Sequence, residues 1–217
     1  MIALGSSMIQ ALKVLSCPAA LAALLCTLST TQAANVPLAN SGSWQETLQT
    51  RFDPDAKQTR VAGRVASGLC FSLSLPQEWR VQTGGAETRL KAVSSDAELN
   101  VGLRSAHELR GMPQPDLASR DAALLQQDYE NLLGRPAQSV SLASAPTGAA
   151  RWSATWFDAY LPSGSHGMTV ETLIVPLSGE WVLELSVTQV EEKERYEALL
   201  HSMLVGLRIQ RDSACGA

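Results

Sequence analysis

Histidine is nearly missing from this sequence: His107, His166 and His201 are the three in 217 residues. None stands in an H-x-x-H or H-E-x-x-H spacing and no C-x-x-C occurs, so a zinc site has no ligand set to build on. The G-x-S-x-G elbow, the P-loop and the G-x-G-x-x-G turn are absent as well, which leaves no cofactor motif to read. Asp53 and Asp55 offer two carboxylates without the further run of ligands that a calcium loop needs. Lysine is scarce, at Lys13, Lys57, Lys91 and Lys193, and no basic run occurs. That argues against nucleic acid and anionic membrane as partners. There is no internal repeat, no low-complexity tract, and no apolar run of the about 20 residues that a membrane span needs.

What is present begins with an address. Lys13 is followed by the apolar segment VLSCPAALAALLCTL, Val14–Leu28, and then by the small polar run STTQAA. A charged start, a short apolar stretch and a small-residue cut site make the pattern of a secretory signal peptide over residues 1–33, cleaved near Ala33, with Met8 as an alternative start. A lipoprotein reading fails at Cys26, because Leu25 is too bulky for the position before a lipidated cysteine. Export places the mature chain in the periplasm or outside the cell. The mature chain keeps 16 Lys and Arg against 21 Asp and Glu, a net charge near −5. It also keeps two cysteines, Cys70 and Cys215, and an oxidising compartment makes their pairing the economical expectation.

Residues 34–67 read as an N-terminal extension. Trp44–Phe52 has a helical apolar side and a capping-box start at Ser43 and Glu46, and FDPDAKQTR reads as loop. The domain, 68–217, opens on LCFSLSLPQEW. Leu69, Phe71, Leu73 and Leu75 face one way and Cys70, Ser72 and Ser74 the other, Pro76 ends the strand, and Trp79 returns as a plug. Strands are expected at Glu87–Val93 and Glu98–Arg104, then a helix capped by Asp116 and stopped by Gly134 and Pro136. Four strands follow, over Gln138–Ala145, Ala149–Tyr160, Gly167–Leu177 and Glu180–Gln189, joined by turns short enough for antiparallel neighbours. A last helix carries Tyr196, Leu199, Leu200, Met203, Leu204 and Leu207, with Thr188 and Glu191 as its capping box. The order β-β-β-α-β-β-β-β-α predicts an α+β fold, a curled antiparallel sheet of about seven strands flanked by helices.

The opening CFSLSLPQEW and the closing LLHSMLVGLRI resemble the first strand and last helix of PsbP-like domains. Those share an αβα sandwich with the Ran-binding Mog import factor and with exported bacterial proteins. The resemblance covers roughly residues 68–209 and rests on packing and turn signals. It implies a binding or assembly accessory and brings no family active site to carry over. The pair Cys70/Cys215 and the long segment before Gly68 depart from the pattern.

The richest stretch for recognition is ARWSATWFDAY. Trp152, Trp156 and Tyr160 share one face of a strand and Arg151 lies on the other, with His166 in the following loop. As a surface, Arg151, Trp152, Trp156, Tyr160 and His166 would form a candidate binding site, since Trp, Tyr and Arg anchor interfaces. As a core, the tryptophans would lie beneath a helix, and aromatic side chains more often serve there. The function expected is an exported, periplasmic accessory or assembly protein that binds a protein of the cell envelope, with no catalytic residue assigned. A toxin-neutralising or secretion-system partner would show as a flat Trp/Arg-rich patch. The alternative is a hydrolase in which His107 or His166 meets a carboxylate and a hydroxyl in a pocket.

Overall fold

Alternating burial accounts for most of the architecture. The computed structural model describes residues 48–66, 68–82, 88–144, 148–157 and 167–211. The expected signal segment, Tyr160, His166 and Cys215 all lie outside them. β1 (Gln49–Asp53) and β2 (Gln58–Ala66) form an antiparallel hairpin. Asp53 Oδ1 holds its turn by accepting the backbone N–H groups of Asp55 and Ala56 at 3.0 and 3.1 Å. β2 buries Thr59, Val61, Gly63 and Val65 and turns Gln58, Arg60 and Arg64 outward. The helix expected over Trp44–Phe52 is therefore corrected where it can be seen, because Gln49–Asp53 is a strand. Long-range pairing with β2 outweighs the helical spacing of Leu48 and Phe52.

β3 (Leu69–Pro76) pairs with β2, and β11 (Arg208–Arg211) pairs with the other side of β3. They complete a four-stranded sheet ordered β1-β2-β3-β11. The described part of the segment read as an extension is thus built into a sheet. Its fit is close: a Cβ on Gly63 would come within 2.6 Å of the Phe71 ring, so β2 needs a residue without a side chain opposite Phe71.

A seven-stranded antiparallel sheet runs in the order β4-β5-β6-β10-β9-β8-β7. Its members are β4 (Trp79–Gln82), β5 (Thr88–Ala92), β6 (Glu98–Ser105), β7 (Ser139–Ser144), β8 (Ala150–Phe157), β9 (Gly167–Pro176) and β10 (Trp181–Thr188). The P-x-x-W stretch links the two sheets. Trp79 Nε1 donates to the Pro76 carbonyl at 2.8 Å, and the Trp79 backbone N–H donates to Thr59 Oγ1 at 3.0 Å. Trp79 is a buried plug that also starts β4, a strand the sequence reading lacked.

Helix α1 (Leu117–Leu133) starts at Asp116, whose carboxylate accepts the Ser119 N–H at 2.9 Å, and ends at Gly134 in the left-handed region. Helix α2 (Lys193–Gly206) starts at Glu192 without a side-chain cap. Its expected capping box does not form, because Thr188 is the last residue of β10, paired with Glu98. Two apolar clusters show the layering. Phe71, Leu73, Leu75, Leu99, Leu183, Leu200 and Met203 join the small sheet and α2 to one face of the large sheet. Ala122, Leu125, Trp152, Trp156, Ile174 and Val182 join α1 to the other. The result is the expected α+β class, two helices on antiparallel sheets, with the strands divided between two sheets where one was expected.

Candidate functional site

Strand β8 divides the expected site between the two faces of the large sheet. Trp152 and Trp156 are 1% and 0% exposed and lie beneath α1. The Tyr129 ring covers both, with centroids 5.9 and 5.8 Å away. Neither tryptophan is on the surface, so the candidate surface loses them: removing their rings from water is worth more than presenting them. Arg151 points to the opposite face, and Tyr160 and His166 lie outside the described residues. The reading of the tryptophans as core beneath a helix holds.

On Arg151's face the sheet and α2 enclose a hollow of about 430 Å³, open to solvent. Its polar wall includes Arg151 from β8, Thr169 and Glu171 from β9, Thr188 and Gln189 at the end of β10, and Lys193, Tyr196 and Glu197 from the start of α2. Arg151 Nη2 donates to Glu171 at 2.7 Å, and Nη1 donates to both oxygens of Glu197 at 3.0 and 3.1 Å. The guanidinium also lies 5.5 Å from the centre of the Tyr196 ring, a cation–π distance. Burial, then the hydrogen bond to Glu171, hold the Tyr196 phenol above its ordinary value, so it remains a neutral hydroxyl. Arg151 is partly desolvated, yet Glu171 and Glu197 more than compensate and its pKa rises.

The two carboxylates balance Arg151 and Lys193, so the hollow has no net charge. It offers fixed hydrogen-bonding groups and an aromatic ring, and its lining contains no histidine. Sequence reading missed Glu171, Tyr196 and Glu197 as site residues. One signal was present: Glu171 shares a face of β9 with the buried Leu173 and Val175, a carboxylate where that stripe leaves the core.

A second charged cluster lies beneath α1. Arg104 Nε donates to Glu184 at 2.7 Å and lies 3.0 Å from an oxygen of Asp121, and Nη1 reaches Asp128 at 3.3 Å. The Asp121 side chain is fully buried. That burial, with Glu184 beside it, pushes the Asp121 carboxyl far above the usual carboxylate range, against the pull of Arg104. Burial thus favours the protonated form of Asp121. The carboxyl lies against Arg104 and so joins α1 to β6, and Arg104 in turn holds Glu184 of β10.

The remaining expectations scatter. His107 and His201 are exposed, one before a short 3-10 turn (Glu108–Gly111) and one on α2. Among the described residues no three potential ligands gather as a metal site, and Asp53 serves its own turn. Cys70 is buried in β3 with Sγ 3.8 Å from Gln210 Oε1.

This architecture is similar to the solution structure of cyanobacterial PsbP (CyanoP) from Synechocystis sp. PCC 6803. The match has a TM-score of 0.41 at 9% identity, covering 75% of this chain and 92% of that one. The resemblance to PsbP is one of fold. No protein-family model matches the chain, and no curated protein matches it.

Proposed function

We propose that this is an exported accessory or assembly protein that works in the periplasm or outside the cell. On this reading it loses residues 1–33 and binds an envelope protein through the hollow beside Arg151. The hollow carries the reading. It is open, has no net charge, and fixes Arg151, Glu171, Tyr196 and Glu197 in one ion-pair and hydrogen-bond network. A network already satisfied internally is preorganised, so a partner meets groups that lose little freedom on binding. Support for export comes from the n-region, apolar run and small-residue cut site before Ala34. Among the described residues no helix is long and apolar enough to cross a membrane.

A bridge between Cys70 and Cys215 belongs to the same proposal. β11 sets Gln210 opposite Cys70, five residues before Cys215. Five residues reach up to about 16 Å, enough for the tail to turn back onto β3.

Capture from the envelope fraction of the native host tests the binding site. Thr169→Arg and Lys193→Glu alter exposed residues of the hollow, and Gln127→Arg alters the solvent side of α1. One protein captured by the wild type and by Gln127→Arg, and lost with both hollow variants, is the expected result. Capture that survives both hollow changes and fails with Gln127→Arg would contradict the site, and recovery of the full-length chain from the cytosol alone would contradict export.

A further inference from the structure

The edge strand β7 is built unlike the strands that end the sheets elsewhere. β1 carries Arg51 and Asp53, β4 carries Arg80, and β11 carries Arg208 and Arg211. Charges at an edge discourage a second chain from pairing with it. β7, SVSLAS, has no charge and no proline, and all six of its residues are exposed. It pairs with β8 in unbroken register from Ser139 to Ser144, so no bulge twists it away. Among the described residues no strand lies on its other side. Val140 and Leu142, each 42% exposed, sit opposite Ala154 and Trp152 and form an apolar ledge on the α1 side of the sheet.

We propose that β7 is a homotypic docking edge, pairing antiparallel with β7 of a second copy of this chain. The strand is self-complementary. With Ser141 on the two-fold axis opposite its own copy, Val140 meets Leu142 of the second copy on one face and Ser139 meets Ala143 on the other. Apolar faces apolar, small faces small, and no like charges approach. Both large sheets become one continuous sheet through an isologous contact, the commonest oligomer symmetry. A charged or proline-bearing partner strand would match this edge less well than the edge matches itself. Six residues a side make a small contact next to the about 1,200 Å² or more of a standard interface, so the dimer is weak and concentration-dependent. The hollow beside Arg151 is a separate feature, and the two proposals stand or fall independently.

Sedimentation velocity on the mature chain across the micromolar range tests it. The expected result is a monomer–dimer equilibrium in the wild type, abolished in Val140→Lys, which changes an exposed side chain and leaves the circular dichroism spectrum unaltered. In a second measurement Ser141→Cys forms a covalent dimer on mild oxidation. Ser139→Cys does not, because it is displaced by four residues, about 13 Å, from its own copy. A monomer at every concentration overturns the proposal, whether β7 stays open or takes a strand from another protein. So does a dimer indifferent to Val140→Lys, or one in which Ser139→Cys links as readily as Ser141→Cys.

Discussion

At the residue scale, the parity of β8 decides what each side chain can do. Trp156 is fully buried on the α1 side of β8 with its ring against Tyr129. Trp156→Ala is expected to cost about 3–5 kcal/mol in urea denaturation, whereas a loss under about 1 kcal/mol would mean that the ring does not fill the core. Asp121 gives a pH signature with a definite sign. Its folded-state pKa is raised above its unfolded value, so its contribution is present in full below the ordinary carboxylate range and is lost as pH rises toward the raised value. Stability should therefore fall as pH increases from about 4 to about 9, and Asp121→Asn should flatten that slope. Denaturation midpoints of both proteins across pH check this; a wild-type slope unchanged in Asp121→Asn would contradict it. The tryptophans' burial was legible from the alternation of ARWSATW. Asp121 was not, because an aspartate on a helix reads as solvated until β6 supplies Arg104 beneath it.

At the scale of elements, local signals set what they alone control. Asp116 and Gly134 mark the ends of α1 by caps that need no tertiary partner, and the helix was placed from them. Asp116→Ala should cost about 1 kcal/mol through the lost bond to Ser119. β3, β6, β8 and β10 were legible as alternation, and β5, β7 and β9 as the segments between turn signals. β1, β2, β4 and β11 were not. β2 alternates Thr59, Val61, Gly63 and Val65, but a threonine and a glycine among the inward residues weaken the apolar pattern. β1, β4 and β11 are four or five residues long and exist only because a neighbouring strand pairs with them. Gly63 records that dependence. Gly63→Ala should destabilise by about 1–3 kcal/mol, because the new methyl would strike the buried Phe71 ring. An unchanged melting temperature would show that Phe71 can move aside.

At the scale of the molecule, one large sheet separates two environments. On one face α1 seals aromatic rings and the Arg104–Asp121–Glu184 cluster away from water; on the other, α2 and the small sheet leave the hollow beside Arg151 open. Arg151 was legible in the sequence but the α2 residues that meet it were not, since Tyr196 and Glu197 are brought to Arg151 only by the packing of α2 against β3. The same scale holds the proposed bridge from Cys70 to Cys215: thiol counting on denatured, unreduced mature protein should find no free thiol, and two per chain would refute it. The central claim, that the hollow is where a partner binds, is tested most directly by site-specific photo-crosslinking in intact native cells. A probe at Lys193, on the exposed rim, should give one discrete adduct with an envelope protein, and a probe at Gln127 on α1 should give none. An adduct from Gln127 alone, or the same adduct from both positions, would contradict the account.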